Sequence, residues 1–196
     1  MSRFTVRRTL LAVLAASAAC VSLPAFASKE KPVIGFSIDD LRVERWARDR
    51  DYFIAAAKGL GAEVSVQSAD GDSAKQVAQI ENLISKKVDV LVIVPKDQST
   101  LTNVLKEAKK AGIKVVSYDR LIKSPDVDVY ISFDNFRVGQ MQGAALMKAL
   151  PKGSIYVLSG DPGDNNAKLF KAGAMKAMEP QIKAGKVKIL GEQAVK

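Results

Sequence analysis

The chain has 196 residues and a formal net charge of +9, with one cysteine and no histidine. Without histidine, and with a single thiol at Cys20, transition-metal sites and most nucleophile–base pairs are hard to build. The basic residues form no stripe interleaved with aromatic side chains, so we expect no metal ion, no cofactor and no nucleic-acid partner.

The first 27 residues have the pattern of a secretory signal peptide. Three arginines form a positive N-terminal region: Arg3, Arg7 and Arg8. An apolar stretch at residues 10–19 is too short to span a bilayer, and Ala25-Phe26-Ala27 is a small-x-small cleavage signal. We predict cleavage after Ala27, a mature chain that starts at Ser28, and a periplasmic location. A membrane-tethering first helix and lipidation of Cys20 are the alternatives, and Sec and twin-arginine export both stay open.

From residue 33 onward, short β-branched runs alternate with helical segments. The predicted strands are residues 33–38, 63–67, 88–94, 114–118, 129–133, 154–159 and 187–190. Several are apolar nearly throughout, most clearly 88–94, as in strands that are covered on both faces of a sheet. Strand–helix–strand repetition of this length implies right-handed crossovers and a parallel sheet. The predicted class is α/β, doubly wound.

Apolar residues at helical spacing predict the buried faces of three helices. The three stripes are Val77, Ile80 and Ile84; Leu101, Val104, Leu105 and Ala108; and Val138, Met141, Ala145 and Ala149. Asp72-Ser73 and Ser99-Thr100 are predicted N-caps. Gly59, Gly61 and Gly112 stand where helices should end.

Four polar clusters directly follow predicted strands: Asp39-Asp40 with Arg45-Trp46, Asp119-Arg120, Asp134-Asn135 and Asp164-Asn165-Asn166. Because ligands bind outside the carboxyl ends of the strands in such a sheet, all four should open on one edge. Carboxylate, amide and guanidinium groups suit sugar hydroxyls, and an aromatic face suits the C–H side of the ring. The candidate contacts to a neutral polyol are Arg45, Trp46, Asp119, Arg120 and Asn166.

Each cluster also has a purely structural interpretation. Trp46 lies at helical spacing from Phe53 and could belong to the core. Asp39-Asp40 could be an N-cap pair, Asp119-Arg120 a solvated turn, and residues 164–166 only a cap. A calcium loop at 161–164 is disfavoured because the EF-hand spacing and its closing glutamate are absent.

Five motifs in one order resemble bacterial periplasmic D-xylose-binding proteins of ABC transporters. They are IDDLRVERW at 38–46, QIEN at 79–82, YDR at 118–120, ISFDN at 131–135 and DNNAKLF at 164–170. The resemblance runs along essentially the whole mature chain. It implies a two-lobed periplasmic-binding-protein type I fold with three crossing segments and a sugar held between the lobes.

The resemblance also implies roles for single residues. Arg45, Asp119, Arg120 and Asn166 would hydrogen-bond a pyranose, D-xylose, and Trp46 would stack on it. Phe133, Asp134 and Asn135 would lie near the first hinge. Lys171 stands where relatives carry an arginine that contacts the sugar. A lysine keeps the positive charge but lacks the paired N–H donors of a guanidinium, which affects affinity or sugar preference.

Relatives of this kind continue well past residue 196 with the rest of the second lobe and a second stacking tryptophan. We therefore expect a C-terminally truncated chain: a signal peptide at 1–27, a first α/β lobe at 28–134 and the incomplete start of a second α/β lobe at 135–196. The expected molecule is a monomer with impaired sugar binding. An ABC transporter permease in the inner membrane is the partner that the resemblance implies.

Three functions other than D-xylose transport are alternatives. A binding protein for another aldose (glucose, galactose, arabinose or ribose) in transport or chemotaxis shares the YDR and DNN patterns. An exported enzyme on the same scaffold would need Asp119 or Asp164 as its general base. A sugar-responsive repressor core would need a DNA-binding headpiece where this chain has an export signal.

Overall fold

The structure, a computed structural model, describes residues 31–195. The predicted signal peptide and its cleavage site lie outside these residues. Seven strands and five helices follow in chain order: β1 Val33–Ile38, α1 Glu44–Gly59, β2 Glu63–Ser68, α2 Ser73–Ser85, β3 Val90–Ile93, α3 Thr102–Lys110, β4 Lys114–Tyr118, β5 Val129–Ile131, α4 Asn135–Ala149, β6 Gly153–Ser159, α5 Asn165–Lys183 and β7 Val187–Ala194.

The strands form two parallel sheets. One has five strands in the order β2-β1-β3-β4-β5, and the other pairs β6 with β7. The first order reverses between β1 and β3, which makes the sheet doubly wound. The predicted α/β class with parallel sheets is confirmed.

Helices cover both faces of the five-stranded sheet, and its central strand β3 is apolar throughout. Leu91 and Ile93 of β3 pack against buried residues of α2 and α3. Val92, the alternate residue of the same strand, packs with Phe36 of β1 and Trp46 of α1 on the other face. Because successive side chains of a strand point to opposite faces of the sheet, β3 contributes to two separate cores.

The two-stranded sheet packs against α5, which in turn packs closely on α4. Gly139 and Gly143 of α4 and Gly173 of α5 line this helix contact. A Cβ built on Gly173 would lie 2.0 Å from the carbonyl oxygen of Phe136, and one built on Gly139 would lie 2.1 Å from that of Phe170. The two backbones are therefore in direct contact, which a larger side chain at these positions would prevent.

The predicted apolar stripe of α4 is wrong. The face that α4 buries consists of Asn135, Gly139, Gly143 and Met147. Met141 of the predicted stripe is 62% exposed, and Ala145 and Ala149 are exposed as well. Small residues form the contact because they allow close backbone approach, so hydrophobicity does not mark this face. The other two predicted stripes lie mainly in the core between α2, α3 and the sheet.

The predicted element ends are only partly right. β1 and β4 have the predicted bounds, whereas β3 is shorter than predicted and β7 is longer. Asp72 is the N-cap of α2 and accepts hydrogen bonds from the backbone N–H groups of Ala74 and Lys75. The predicted cap at Ser99-Thr100 is wrong, since α3 begins at Thr102 without a side-chain cap. Within residues 31–195, the helices lack the combination of length and apolar character that crossing a bilayer requires.

Candidate functional site

The carboxyl ends of β1, β3 and β4 form one edge of the five-stranded sheet, and the predicted polar clusters meet there. The converging side chains come from four segments: Asp39 after β1, Arg45 and Trp46 in α1, Asp119 and Arg120 after β4, and Asn166 in α5. This edge includes the point between β1 and β3 where the strand order reverses, which is where ligands bind in such sheets.

Asp119 lies at the centre of the cluster and is only 6% exposed, so the solvated-turn interpretation is wrong for it. Its backbone adopts φ 62°, a left-handed conformation that aspartate tolerates better than most residues. Its carbonyl oxygen accepts from Ser132 Oγ at 2.6 Å and from Asn166 Nδ2 at 3.1 Å. Its carboxylate accepts from Asn166 Nδ2 at 3.0 Å through Oδ1 and forms an ion pair with Arg45 through Oδ2.

Arg120 is held by groups from three other loops. Its Nη1 donates to Asp39 Oδ2 at 2.6 Å and to the carbonyl oxygen of Pro95 at 3.2 Å. Its Nε lies 3.2 Å from Asp164 Oδ2. Burial raises the pKa of Asp164 above its ordinary value, and the charge of Arg120 offsets only part of that effect. The guanidinium therefore lies among carboxylates that it partly neutralises.

Trp46 belongs to the core, which was one of the two interpretations of the sequence, and it also contacts the polar cluster. Its side chain packs in the apolar cluster with Phe36 and Ile38, and it is only 3% exposed. Its ring also underlies two guanidiniums: the Cζ atoms of Arg45 and Arg120 lie 4.4 Å and 5.5 Å from the ring centroid. Both distances are within the range of a cation–π contact. The indole therefore packs in the apolar core and also contacts the guanidiniums of the polar cluster.

Asn166 and Asn135 connect the second sheet's helices to this cluster. Asn135 Nδ2 donates to Asn166 Oδ1 at 3.0 Å and to Ser132 Oγ at 2.9 Å. Asp134 is the N-cap of α4, and Phe133 beside it is 67% exposed. These residues form the chain segment between the two sheets, and their role as a hinge stays a prediction.

A second polar contact connects the same two parts of the molecule. Lys96 Nζ lies 2.6 Å from Asp161 Oδ2, and the backbone N–H of Gln98 donates to the carbonyl oxygen of Gly163 at 3.1 Å. Burial alone would raise the pKa of Asp161, but hydrogen bonds from Lys96 and from the Gly163 N–H outweigh it and lower the pKa. The loop after β3 therefore contacts the loop before α5 through a charged pair.

Lys171 lies outside the cluster. Its ammonium pairs with Glu192 of β7. It nevertheless lines a cavity of about 460 Å³ together with Arg120 and Asp164. Its predicted contact with a sugar stays a prediction, and its ion pair with β7 could not be read from the sequence.

Arg45 and Asp119 line a different hollow of about 310 Å³, together with Tyr118 and Phe133. The candidate residues thus face two cavities in this conformation. Of the six predicted contact residues, the structure brings Arg45, Trp46, Asp119, Arg120 and Asn166 into one contiguous cluster, with Lys171 at the margin of an adjoining cavity.

The pairing of Asp39 with Arg120 was not expected from the sequence, in which Asp39-Asp40 could also be an N-cap pair. α1 begins at Glu44, and its N-cap residue Val43 makes no side-chain cap hydrogen bond. Asp39 instead pairs with Arg120 and is buried. The available signal was its position directly after β1, beside the reversal of strand order.

The cluster offers alternating hydrogen-bond donors and acceptors above an aromatic ring. Its guanidiniums are donors only, its carboxylates are acceptors only, and Asn166 is both. Within the described part of the chain, no group of three or more His, Cys, Asp or Glu side chains is arranged to hold a metal ion. Such a set suits an uncharged ligand with several hydroxyl groups.

Comparison with known proteins adds independent findings. The profile of the periplasmic binding protein domain family matches residues 34–196. The chain is 50% identical over 188 residues to the D-xylose-binding periplasmic protein of Escherichia coli (strain K12), covering 96% of this chain and 56% of that protein. It is 53% identical over 162 residues to the protein of the same name from Haemophilus influenzae, covering 83% of this chain and 49% of that protein. The predicted resemblance is confirmed.

A solved structure has the same fold. It is an ABC transporter solute-binding protein from Clostridium phytofermentans with bound β-D-glucose, at a TM-score of 0.77 and 38% identity. The match covers 80% of this chain and 51% of that one. The chain therefore spans about half the length of the relatives that it matches.

Proposed function

The chain belongs to the periplasmic binding protein domain family, and on that premise we propose that it captures an aldose, D-xylose first, for delivery to an ABC importer. Two relatives, at 50% and 53% identity, are named as D-xylose-binding periplasmic proteins. The proposed roles are binding and transport without chemical turnover of the sugar.

The convergence of Arg45, Asp119, Arg120 and Asn166 beside Trp46 is the observation that carries this proposal. A sugar hydroxyl donates and accepts at once, so it fits between a guanidinium and a carboxylate. Each internal hydrogen bond that a hydroxyl replaces is exchanged for one of similar strength, about 0.5–1.5 kcal/mol net. Selectivity then comes from satisfying all of these groups together.

Trp46 supplies the apolar side of the proposed site. The guanidinium of Arg45 covers its ring, and the side chain of Arg45 is half exposed. We expect the sugar to take a place beside the indole as Arg45 turns to meet its hydroxyls. The indole would then pack against the C–H face of the pyranose. Arg45 would stay hydrogen-bonded, because sugar hydroxyls accept hydrogen bonds from its N–H groups.

Closure of two lobes completes the proposed mechanism. We assign residues 28–134 to the first lobe and residues from 135 onward to the second, with Phe133, Asp134 and Asn135 at the hinge. The hydrogen bonds from Asn166 to Asp119 already connect the two parts. A sugar that contacts both shifts the hinge equilibrium towards the closed form, which an ABC transporter permease in the inner membrane would recognise.

We expect this chain to bind D-xylose more weakly than the Escherichia coli relative does. Lys171 is paired with Glu192 instead of facing a ligand, and an ammonium lacks the two-pronged geometry of a guanidinium. The Lys171→Arg variant should bind D-xylose more tightly than the wild-type chain, and equal affinity would refute this assignment.

A second aldose is the alternative ligand. A relative that is 38% identical to this chain was solved with β-D-glucose, and its fold matches closely. The two ligands differ by one hydroxymethyl group, which fits or clashes according to the size of the site. Relative affinities for pentoses and hexoses therefore decide between them.

The proposed location is the periplasm, reached after cleavage behind Ala27, and the proposed working form is a monomer. N-terminal sequencing of the exported protein should begin at Ser28, and sedimentation should give the mass of one chain. Incubation with D-xylose should leave the sugar unchanged by NMR. Any turnover would favour an enzyme instead.

Thermal unfolding with a panel of sugars tests the ligand directly. A ligand that binds only the folded chain stabilises it by RT ln(1 + [L]/Kd), about 2.7 kcal/mol at a hundredfold excess over Kd. We expect D-xylose to raise the Tm more than D-glucose, D-galactose, L-arabinose or D-ribose at equal concentration. Titration calorimetry on this chain and on the Escherichia coli relative supplies the affinities. A chain whose Tm no aldose changes would contradict the proposal.

A further inference from the structure

Asp39 is a buried carboxylate with an unusual hydrogen-bond arrangement. Its side chain lies directly after β1, and one oxygen, Oδ2, accepts from Arg120 Nη1 at 2.6 Å. The other oxygen, Oδ1, is buried and has no hydrogen-bond donor among residues 31–195. Buried polar atoms in folded proteins are normally paired, and leaving one unpaired costs about 1–3 kcal/mol. A carboxylate retained only for the fold would be expected to have both oxygens satisfied.

The same contact immobilises Arg120. Nη1 is shared between Asp39 Oδ2 and the carbonyl oxygen of Pro95, and Nε is next to Asp164 Oδ2. Within the described chain, Nη2 has no hydrogen-bond partner. Two nitrogens are thus occupied by the protein, and one is left to donate elsewhere. Arg120 also lines the cavity of about 460 Å³ beside the cluster.

The location adds an independent argument. Asp39 follows β1 and Pro95 follows the end of β3, so the two groups that hold Nη1 lie on either side of the reversal in strand order. This is the crevice in which doubly wound sheets bind their ligands. The guanidinium is therefore fixed at the site itself, with its plane set by backbone and carboxylate together.

We propose that Asp39 is a positioning residue for ligand binding. It fixes the guanidinium of Arg120 beside the ring of Trp46, so that Nη2 is free to donate to a ligand hydroxyl. The inference rests on the proposed sugar-binding function. It assigns a role to a side chain that makes no helix cap and lies 81 residues from its partner in sequence.

The ligand-free protein provides the first test, because Trp46 is the only tryptophan in the chain. The Asp39→Asn variant keeps the shape of the side chain but removes the charge that holds Arg120. We expect its tryptophan emission to shift to the red and acrylamide quenching to increase, because Arg120 no longer covers the indole. In an Arg120→Met background, the Asp39→Asn change should have no further effect on either measurement.

Asp40→Asn is the matched control. Asp40 is in the same turn, but it pairs with the exposed Arg42 at 2.6 Å instead of with Arg120. The same isosteric change there should leave the emission of Trp46 as in the wild type. Emission unchanged in Asp39→Asn, or changed equally in both variants, would overturn the proposal. If Asp39→Asn does not fold, Asp39→Glu replaces it, and failure of both to fold identifies a structural role and overturns the proposal too.

Sugar titration provides the second test. We expect Asp39→Asn to raise the Kd for D-xylose roughly tenfold or more, and to add nothing in the Arg120→Met background. Equal affinity of Asp39→Asn and wild type would refute the positioning role. If the wild-type chain binds no aldose at all, the proposed function fails, whereas the fluorescence measurements still decide whether Asp39 positions Arg120.

Discussion

The contact between α4 and α5 gives a sharp prediction for Gly173→Ala. A Cβ at this position would lie 2.0 Å from the carbonyl oxygen of Phe136, 2.7 Å from the backbone nitrogen of Gln140 and 3.0 Å from the backbone carbon of Gly139. Ordinary contact distances are about 3.5 Å, so the helices would have to separate by about 1 Å or more. All three obstructing atoms belong to backbone, which cannot rotate away as a side chain can.

The expected loss of stability follows from this geometry. Overpacking of a well-packed contact typically costs about 1–3 kcal/mol, and the absence of any movable side chain favours the upper end. For a chain of this size, each kcal/mol lowers the Tm by about 2–4 °C. Gly173→Ala should therefore lower the Tm by roughly 6–12 °C. It should also weaken ligand binding, because Asn135 and Asn166 are hydrogen-bonded across the same pair of helices.

Urea and thermal unfolding followed by circular dichroism measure the effect. Gly59→Ala is the control, since a Cβ there meets no atom within 4 Å and the residue ends a helix. That variant should be as stable as the wild type or more stable by up to about 1 kcal/mol. If the free energy of unfolding of Gly173→Ala is within about 0.5 kcal/mol of the wild-type value, the helices are farther apart than in the structure, and the prediction is refuted.

Two further predictions concern single carboxylates. Since burial raises the pKa of Asp164, the folded state binds its proton more tightly than the unfolded state, and the contribution of this group to stability falls as pH rises from the ordinary to the raised pKa. Asp164→Asn should therefore gain stability relative to the wild type as pH rises through that window, as measured by urea midpoints, and a constant difference would contradict the shift. Asp72→Ala should cost about 1 kcal/mol because it removes the N-cap of α2. Ser99→Ala should cost much less, since α3 begins at Thr102 without a side-chain cap, and equal losses in the two unfolding experiments would argue against the assigned helix starts.

The convergence of the candidate residues was largely predictable because one general rule determines where they lie. In a parallel sheet, every loop after a strand opens at the same edge, so the positions of Asp119 and Arg120 followed once β4 was identified. The same rule brought Arg45 and Asn166 to that edge. No knowledge of individual contacts was needed for this step.

The contacts themselves were not predictable from one sequence. The pair of Asp39 with Arg120 joins residues that are 81 positions apart, and the local pattern around Asp39 was also compatible with a helix cap. The prediction of the buried face of α4 was wrong for a different reason. Hydrophobic periodicity detects faces that bury large side chains, whereas α4 buries Gly139 and Gly143 against the backbone of α5.

The left-handed backbone at Asp119 bears on how mutations of this residue are to be understood. Its φ of 62° suits glycine, asparagine and aspartate, and a residue with a plain Cβ is disfavoured there. Alanine scanning at this position would combine two losses, a torsional penalty in the main chain and the removal of a carboxylate. Asparagine separates them, because it tolerates the same torsion while it removes the charge and one of the two acceptor oxygens.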